Sequence, residues 1–273
     1  MQLSPDSAIG LFDSGVGGLT VLDECLAQLP SEDFVYFGDT AFFPYGERSV
    51  EELRRRALAI VDWLLAQNVK LIVVACNSAT AAALEFLQMQ REVSIVGVMA
   101  PEAHAAVQAS RNRRIGLLAT EATVDSGSYE RMVHAHDAGA QVVSVACPRL
   151  APAIQNGHDF DERLLELVRQ YAAPLRDAQV DTTILGCTHY PMVERLLRRN
   201  LPGVTLISSG AEIAREVRET LDRKSLLAVG QDEGSYRFAC SGEPAAFREL
   251  GSRFLQMPLG DVVRVDPESD AAR

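Results

Sequence analysis

Thr183 to Pro191 reads TILGCTHYP, an apolar, β-branched run that stops at a glycine and then presents a thiol, a hydroxyl and an imidazole. The run predicts a buried strand feeding a tight turn, and the proline after Tyr190 suits the first turn of a following helix. Cys187 then stands at the carboxyl end of a strand. In open α/β sheets that edge collects ligands, because helix N-termini there offer unpaired N–H groups and the positive end of a dipole. A buried cysteine usually serves packing, but one with an imidazole two residues away on such a turn points towards chemistry.

Val69 to Ser78 (VKLIVVACNS) has the same build, a strong strand signal that ends in Cys76, Asn77 and Ser78 before an alanine-rich helix. One register relates the two stretches. Cys76 and Cys187 lie 111 residues apart, as do Val69 and Val180, and as do Val93 (VSIVGVMAPE) and Val204 (VTLISSGAE). The first strand is echoed as well, IGLF at Ile9 by IGLL at Ile115, with an offset of 106 that implies a small length change. Each half is therefore a strand, turn and helix series. The predicted fold is α/β, with two pseudo-symmetric doubly wound domains, each built on a central, mainly parallel sheet, and both cysteines facing one interdomain cleft.

Working outwards, AIGLF at Ala8 predicts the first strand, followed by DSGVGGLTVLDECLAQL, a glycine-rich turn and an amphipathic helix. A dinucleotide fingerprint fails because Thr20 stands three residues after Gly17. Asp13 and Ser14 sit at this strand's carboxyl end, where Asp13 reads either as a helix cap or as a catalytic carboxylate. DFVYFGDT is a further strand, and AFFPYGERS, carrying Tyr45 and Gly46, is a loop before a helix that opens with a capping box of Ser49 and Glu52. After Gly210 come a helix, a loop, the strand YRFACSG, the helix EPAAFRELGSRFL and the short strand DVVRVD. This tail is too small to stand alone and should rejoin the first half. The expected domains are residues 1–100 plus 210–273, and residues 101–209; the charged end PESDAAR is expected to be mobile.

The chain has 273 residues, 47% of them hydrophobic, and a net charge of −11. Such an acid excess argues against general nucleic-acid affinity, which rests on clustered positive charge. Arg54, Arg55 and Arg56 form the nearest thing to a basic run and read as a solvated helix face. The beginning MQLSPDSAIG lacks the pattern of a signal peptide, and no apolar run approaches membrane-spanning length, so the expected compartment is the cytoplasm. Five cysteines without C-x-x-C spacing suggest free thiols. His104, His134, His136 and His158 show no metal-ligand pattern and read as surface or structural residues; no metal is expected.

Two thiols on opposite walls of a cleft suit racemisation or epimerisation, in which one face of a carbon loses a proton and the other face gains one. Asp13 would lie beside Cys76 and His189 beside Cys187. Pyridoxal phosphate would need a lysine, and Lys70 and Lys224 are the two lysines of the chain. Lys70 begins the strand that Cys76 ends, about 20 Å from the ligand edge, and Lys224 falls in a polar loop. A metal held by Cys187, His189 and another thiol would leave the repeat unexplained.

The stretches FDSGVGGLTVL at Phe12, YFGDTAFFPYG at Tyr36, VVACNSATA at Val73 and LGCTHYP at Leu185 resemble, in order, the motifs of the cofactor-independent glutamate racemases of the aspartate/glutamate racemase superfamily. The resemblance implies interconversion of L- and D-glutamate without a cofactor, to supply D-glutamate for peptidoglycan, with a related acid such as aspartate as the alternative substrate. A binding protein for acidic amino acids is the non-catalytic alternative. By position the resemblance makes Cys76 and Cys187 the acid/base thiols, assisted by Asp13 and His189. Substrate contacts would come from Asp13, Ser14, Tyr45, Gly46, Asn77, Ser78, Thr120, Thr123, Thr188 and His189. A small-molecule substrate is the expected partner, with no nucleic acid or membrane, and a homodimer is compatible with the sequence. Two positions depart from the family's pattern: Ser78 replaces a usual threonine, and Gln155, in CPRLAPAIQNG, replaces a usual glutamate.

Overall fold

A computed structural model describes residues 3–156, 161–230 and 232–270. Two parallel sheets organise them. The first contains β1 (Ala8–Asp13), β2 (Phe34–Gly38), β3 (Val69–Val74) and β4 (Ser94–Gly97), and the second β5 (Arg114–Ala119), β6 (Gln141–Ala146), β7 (Thr182–Gly186) and β8 (Thr205–Ile207). β9 (Tyr236–Cys240) and β10 (Val262–Arg264) complete the first. The strand orders are β10-β9-β2-β1-β3-β4 and β6-β5-β7-β8.

Those orders express the internal repeat. β2-β1-β3-β4 and β6-β5-β7-β8 are the same path, so β1 corresponds to β5 and β3 to β7. The tail strands extend the first sheet beside β2, as Phe34 pairs with Tyr236 and Gly38 with Cys240. In each half the strand order reverses about the first strand, which leaves a crevice beyond the carboxyl ends of two central neighbours. Registers align those ends: Phe12 is opposite Val74 in the first sheet and Ala119 opposite Gly186 in the second. Asp13 and Cys76 therefore leave one crevice, and Thr120 and Cys187 leave the other.

The central strands are continuous apolar runs because both of their faces are covered by helices. Every residue of β1, β3 and β7 is buried. Lys70, Asp13, Thr182 and Thr183 are the polar exceptions; the Lys70 ammonium ion-pairs with Glu32 Oε2 at 2.5 Å and donates to the Pro5 carbonyl at 2.5 Å, at the amino end of the sheet. The capping box forms as the sequence predicts, with Ser49 Oγ accepting from the Glu52 N–H and Glu52 Oε2 accepting from the Ser49 N–H. Among the described residues no helix is long and apolar enough to cross a membrane.

Two expectations need correction. Arg56 is not on a solvated face: it is buried, and its guanidinium binds both oxygens of fully buried Asp39, at 2.7 and 2.9 Å. Arg54 and Arg55 are exposed as expected. The acidic end is not free along its length, because Pro267–Asp270 forms a helical turn whose Glu268 meets Arg55 at 3.1 Å and Arg56 at 3.9 Å. The buried Arg56 draws carboxylates that a sequence pattern alone leaves in solvent. Of the remaining histidines, His104 and His136 are exposed and contact each other edge to face, His134 bonds the Ala140 carbonyl at 3.1 Å, and His158 lies outside the described residues.

Candidate active site

The two crevices face each other across a narrow cleft. Ser14, Tyr45, Gly46, Cys76, Asn77 and Ser78 reach it from the first half, and Thr120, Cys187, Thr188 and His189 from the second. Asp13 and Thr123 stand one step behind. None of the described residues lining the cleft is lysine or arginine, so an anion there must be held by hydroxyls and backbone N–H groups.

The glycine-rich turn after β1 permits this closeness. A Cβ on Gly17 would fall 2.4 Å from Thr188 Oγ1 and 2.5 Å from His189 Nδ1. One on Gly46 would fall 2.9 Å from the Thr120 Cβ. Both glycines lie where one half abuts the other, and any side chain would wedge them apart. Asp13 exploits the same turn. Its Oδ2 accepts from the Gly15 and Gly18 N–H groups at 3.2 and 3.0 Å, while Thr188 Oγ1 donates to Oδ1 at 3.4 Å. The capping and functional readings of Asp13 are thus compatible: one oxygen secures the turn and the other faces the second half.

Cys76 is the N-cap residue of the helix Asn77–Gln90. Burial pushes its thiol up to about 12, and the charge of Asp13 adds to the rise; the Ala79 N–H and Ser14 oppose it. Cys187 is driven well above the usual thiol range, again chiefly by burial, with the His189 N–H opposing and Cys76 and Asp13 adding. Both thiols are therefore protonated in the ligand-free protein. His189 is lowered by burial, against the attraction of Asp13, and is neutral at physiological pH.

The imidazole is held on every side. Its ring packs against Phe43 and Phe254 at centroid distances of 5.6 and 5.5 Å. Its Nε2 meets Gln155 Oε1 at 2.9 Å, and its Nδ1 lies 3.8 Å from Cys187 Sγ. An amide oxygen can only accept, so Nε2 carries the proton and Nδ1 is left as an acceptor facing the thiol. Gln155, which the sequence reading leaves outside the catalytic set, touches the group beside Cys187.

Ser78, Thr120 and Thr123 form a hydroxyl cluster across the cleft, with Ser78 Oγ 2.9 Å from Thr120 Oγ1 and 3.4 Å from Thr123 Oγ1. Thr120 also caps the helix Glu121–Asp125 by accepting from the Thr123 N–H. The Tyr45 hydroxyl is turned away, donating to Asp39 Oδ2 at 2.7 Å, so Tyr45 and Gly46 offer backbone to the cleft. Asn77 extends its amide nitrogen to Glu102 Oε2 at 3.1 Å and to the Tyr129 hydroxyl at 2.7 Å. Burial raises the Glu102 carboxyl to about 8, against hydrogen bonds from Tyr129, Ser209 and Asn77. Neither Glu102 nor Tyr129 carries a sequence signal, since their meeting depends on three separate elements. Cys147 is a buried thiol donating to the Val145 carbonyl.

Comparisons with known proteins place the chain among racemases. The signature of the Asp/Glu/hydantoin racemase family matches residues 9–217. The chain is 42% identical to the glutamate racemase of Geobacter metallireducens over 267 residues, covering 97% of this chain and 99% of that one. Among solved structures it is similar to a glutamate racemase isoform of Bacillus anthracis, with a TM-score of 0.92 and 39% identity over 95% of this chain and 97% of that one. It is also similar to the glutamate racemase of Francisella tularensis solved with D-glutamate, with a TM-score of 0.90 and 29% identity over 97% of this chain and 99% of that one.

Proposed function

The chain belongs to the Asp/Glu/hydantoin racemase family, and from that membership we propose that it is a cofactor-independent glutamate racemase using Cys76 and Cys187 as opposed acid and base. The observation that carries the proposal is the placement of two thiols on one cleft at the ends of equivalent strands, β3 and β7. In either direction one sulfur, as thiolate, takes the Cα proton, and the other, as thiol, returns a proton to the opposite face. The carbanionic carbon is never left without a donor.

Both thiols rest protonated, so the base must be generated on binding. The substrate's ammonium brings a positive charge into a cleft walled by buried groups and lowers the cost of a thiolate beside it. When Cys76 is the base its proton passes to the Asp13 carboxylate, breaking S–H and forming O–H; when Cys187 is the base its proton passes to His189 Nδ1, breaking S–H and forming N–H, and in each case the opposite sulfur keeps its proton. Ser14, Asn77, Thr188 and the backbone of Tyr45 and Gly46 bind the amino acid with the Ser78, Thr120 and Thr123 hydroxyls. The loss of one methyl at Ser78 keeps the hydroxyl that this cluster needs.

We extend the proposal to a domain division at residues 1–100 plus 210–273 and 101–209, supported by β9 and β10 lying in the first sheet. The biological role is supply of D-glutamate for peptidoglycan from the cytoplasm. Incubating the purified protein with L-glutamate in D2O, without added cofactor, should yield D-glutamate with deuterium at Cα. Absence of both products overturns the assignment, and faster turnover of aspartate in the same assay redirects it to that acid.

A further inference from the structure

Asn77 lines the cleft, yet the partners that hold its amide lie outside it. Both hydrogens of Nδ2 are committed, one to Glu102 Oε2 and one to the Tyr129 hydroxyl. Tyr129 in turn donates to the same Glu102 oxygen. The triangle has one consistent polarity: the carboxyl oxygen accepts twice, the phenol accepts once and donates once, and the amide nitrogen donates twice. Turning the amide over would set its oxygen against an oxygen acceptor. This polarity survives protonation of Glu102 on its other oxygen, since Oε2 remains an acceptor.

The consequence falls on Asn77 Oδ1. It is buried and has no hydrogen-bond partner among the described residues. Leaving a buried amide oxygen unpaired is costly, so such an atom needs an explanation. The three side chains come from separate parts of the fold: Asn77 from the start of the helix Asn77–Gln90 that follows β3, Glu102 from the helix Met99–Ala109 that links the two halves in sequence, and Tyr129 from the helix Ser128–His136 of the second half. All three residues are buried.

We propose that Glu102 and Tyr129 are positioning residues that fix the Asn77 amide with its carbonyl oxygen presented to the ammonium group of the amino-acid substrate. The inference rests on the racemase reading for the identity of the substrate. Oδ1 is an acceptor without a donor, and the ammonium is the donor-only group that such a substrate supplies; its carboxylates would be repelled. Neither Glu102 nor Tyr129 touches the substrate in this scheme.

The test compares glutamate with glutarate, which keeps both carboxylates and lacks the ammonium. Tyr129→Phe and Glu102→Leu each break the triangle while conserving much of the side-chain volume; Glu102→Gln can return a carbonyl oxygen to the Oε2 position. Dissociation constants of both ligands are measured by calorimetry, which does not require turnover, beside KM and kcat for both enantiomers. Tyr129→Phe and Glu102→Leu should weaken glutamate about tenfold, in KM more than in kcat, with glutarate unchanged and Glu102→Gln close to wild type. Equal loss for glutamate and glutarate, or no loss in either disrupting variant, overturns the positioning role. Wild-type protein that binds glutamate but neither racemises it nor exchanges its Cα proton overturns the racemase reading instead, and the ligand comparison still decides the role of the pair.

Discussion

At the scale of single residues, the two thiols and one amide carry the sharpest expectations. Cys76→Ser and Cys187→Ser should each lower kcat by at least about a hundredfold, because a hydroxyl is a far weaker acid than a thiol. Each should shift stability by no more than about 1 kcal/mol, which chemical denaturation would check. Gln155→Glu should raise the pKa of His189 by about 1 unit or more, by setting a negative charge against Nε2; an NMR titration of the imidazole reads this directly. Both cysteines and His189 were legible in the sequence, because a strand followed by a polar turn marks its own carboxyl end. Gly17 was legible only as a failed nucleotide motif. Its purpose, leaving room for Thr188 and His189, arises from a residue 171 positions away in Thr188, and no local pattern encodes that distance. Gln155 was noted through family resemblance, and its contact with Nε2 comes from the packing of a helix the sequence does not aim.

At the scale of elements, the loop between β2 and the helix Val50–Ala66 depends on a buried cluster. Asp39 accepts from Arg56, from the Tyr45 hydroxyl and from Ser241 Oγ at 2.6 Å, so that one carboxylate ties the loop, the helix and the turn after β9. Arg56→Met should destabilise the protein by about 3–5 kcal/mol, since it strands a buried anion; a urea titration gives the value, and reduced turnover should accompany it because Tyr45 borders the cleft. A run of three arginines after two glutamates resembles an exposed, self-pairing face, and for Arg54 and Arg55 it is exposed. The third arginine faces inwards by helical phase alone, and sequence supplied no partner for it. Strands and their order were more readable, because each half presents its strands with the same spacing, and the tail has too little apolar surface to fold apart.

At the scale of the whole molecule, Glu102 links pH to stability. Its folded-state pKa of about 8 lies above the ordinary 4.5, so between those values the folded protein keeps a proton that the unfolded chain has released. Stability from this group is therefore full below about pH 4.5 and falls as pH rises to about 8, where the loss levels off. Glu102→Gln removes the dependence. Denaturation of both proteins from pH 5 to 9 should show, on the order of a few kcal/mol, a gap widening in favour of the variant as pH rises; parallel profiles would place the carboxyl's titration elsewhere. The two resting thiols have a wider consequence. A sulfur that is protonated and buried reacts slowly with peroxide or electrophiles, because the thiolate is the species they attack. If the two thiols act as proposed, a site that forms its thiolate base only around bound substrate is chemically dormant when idle, and slower thiol oxidation without substrate is expected from the same burial that makes each proton hard to remove.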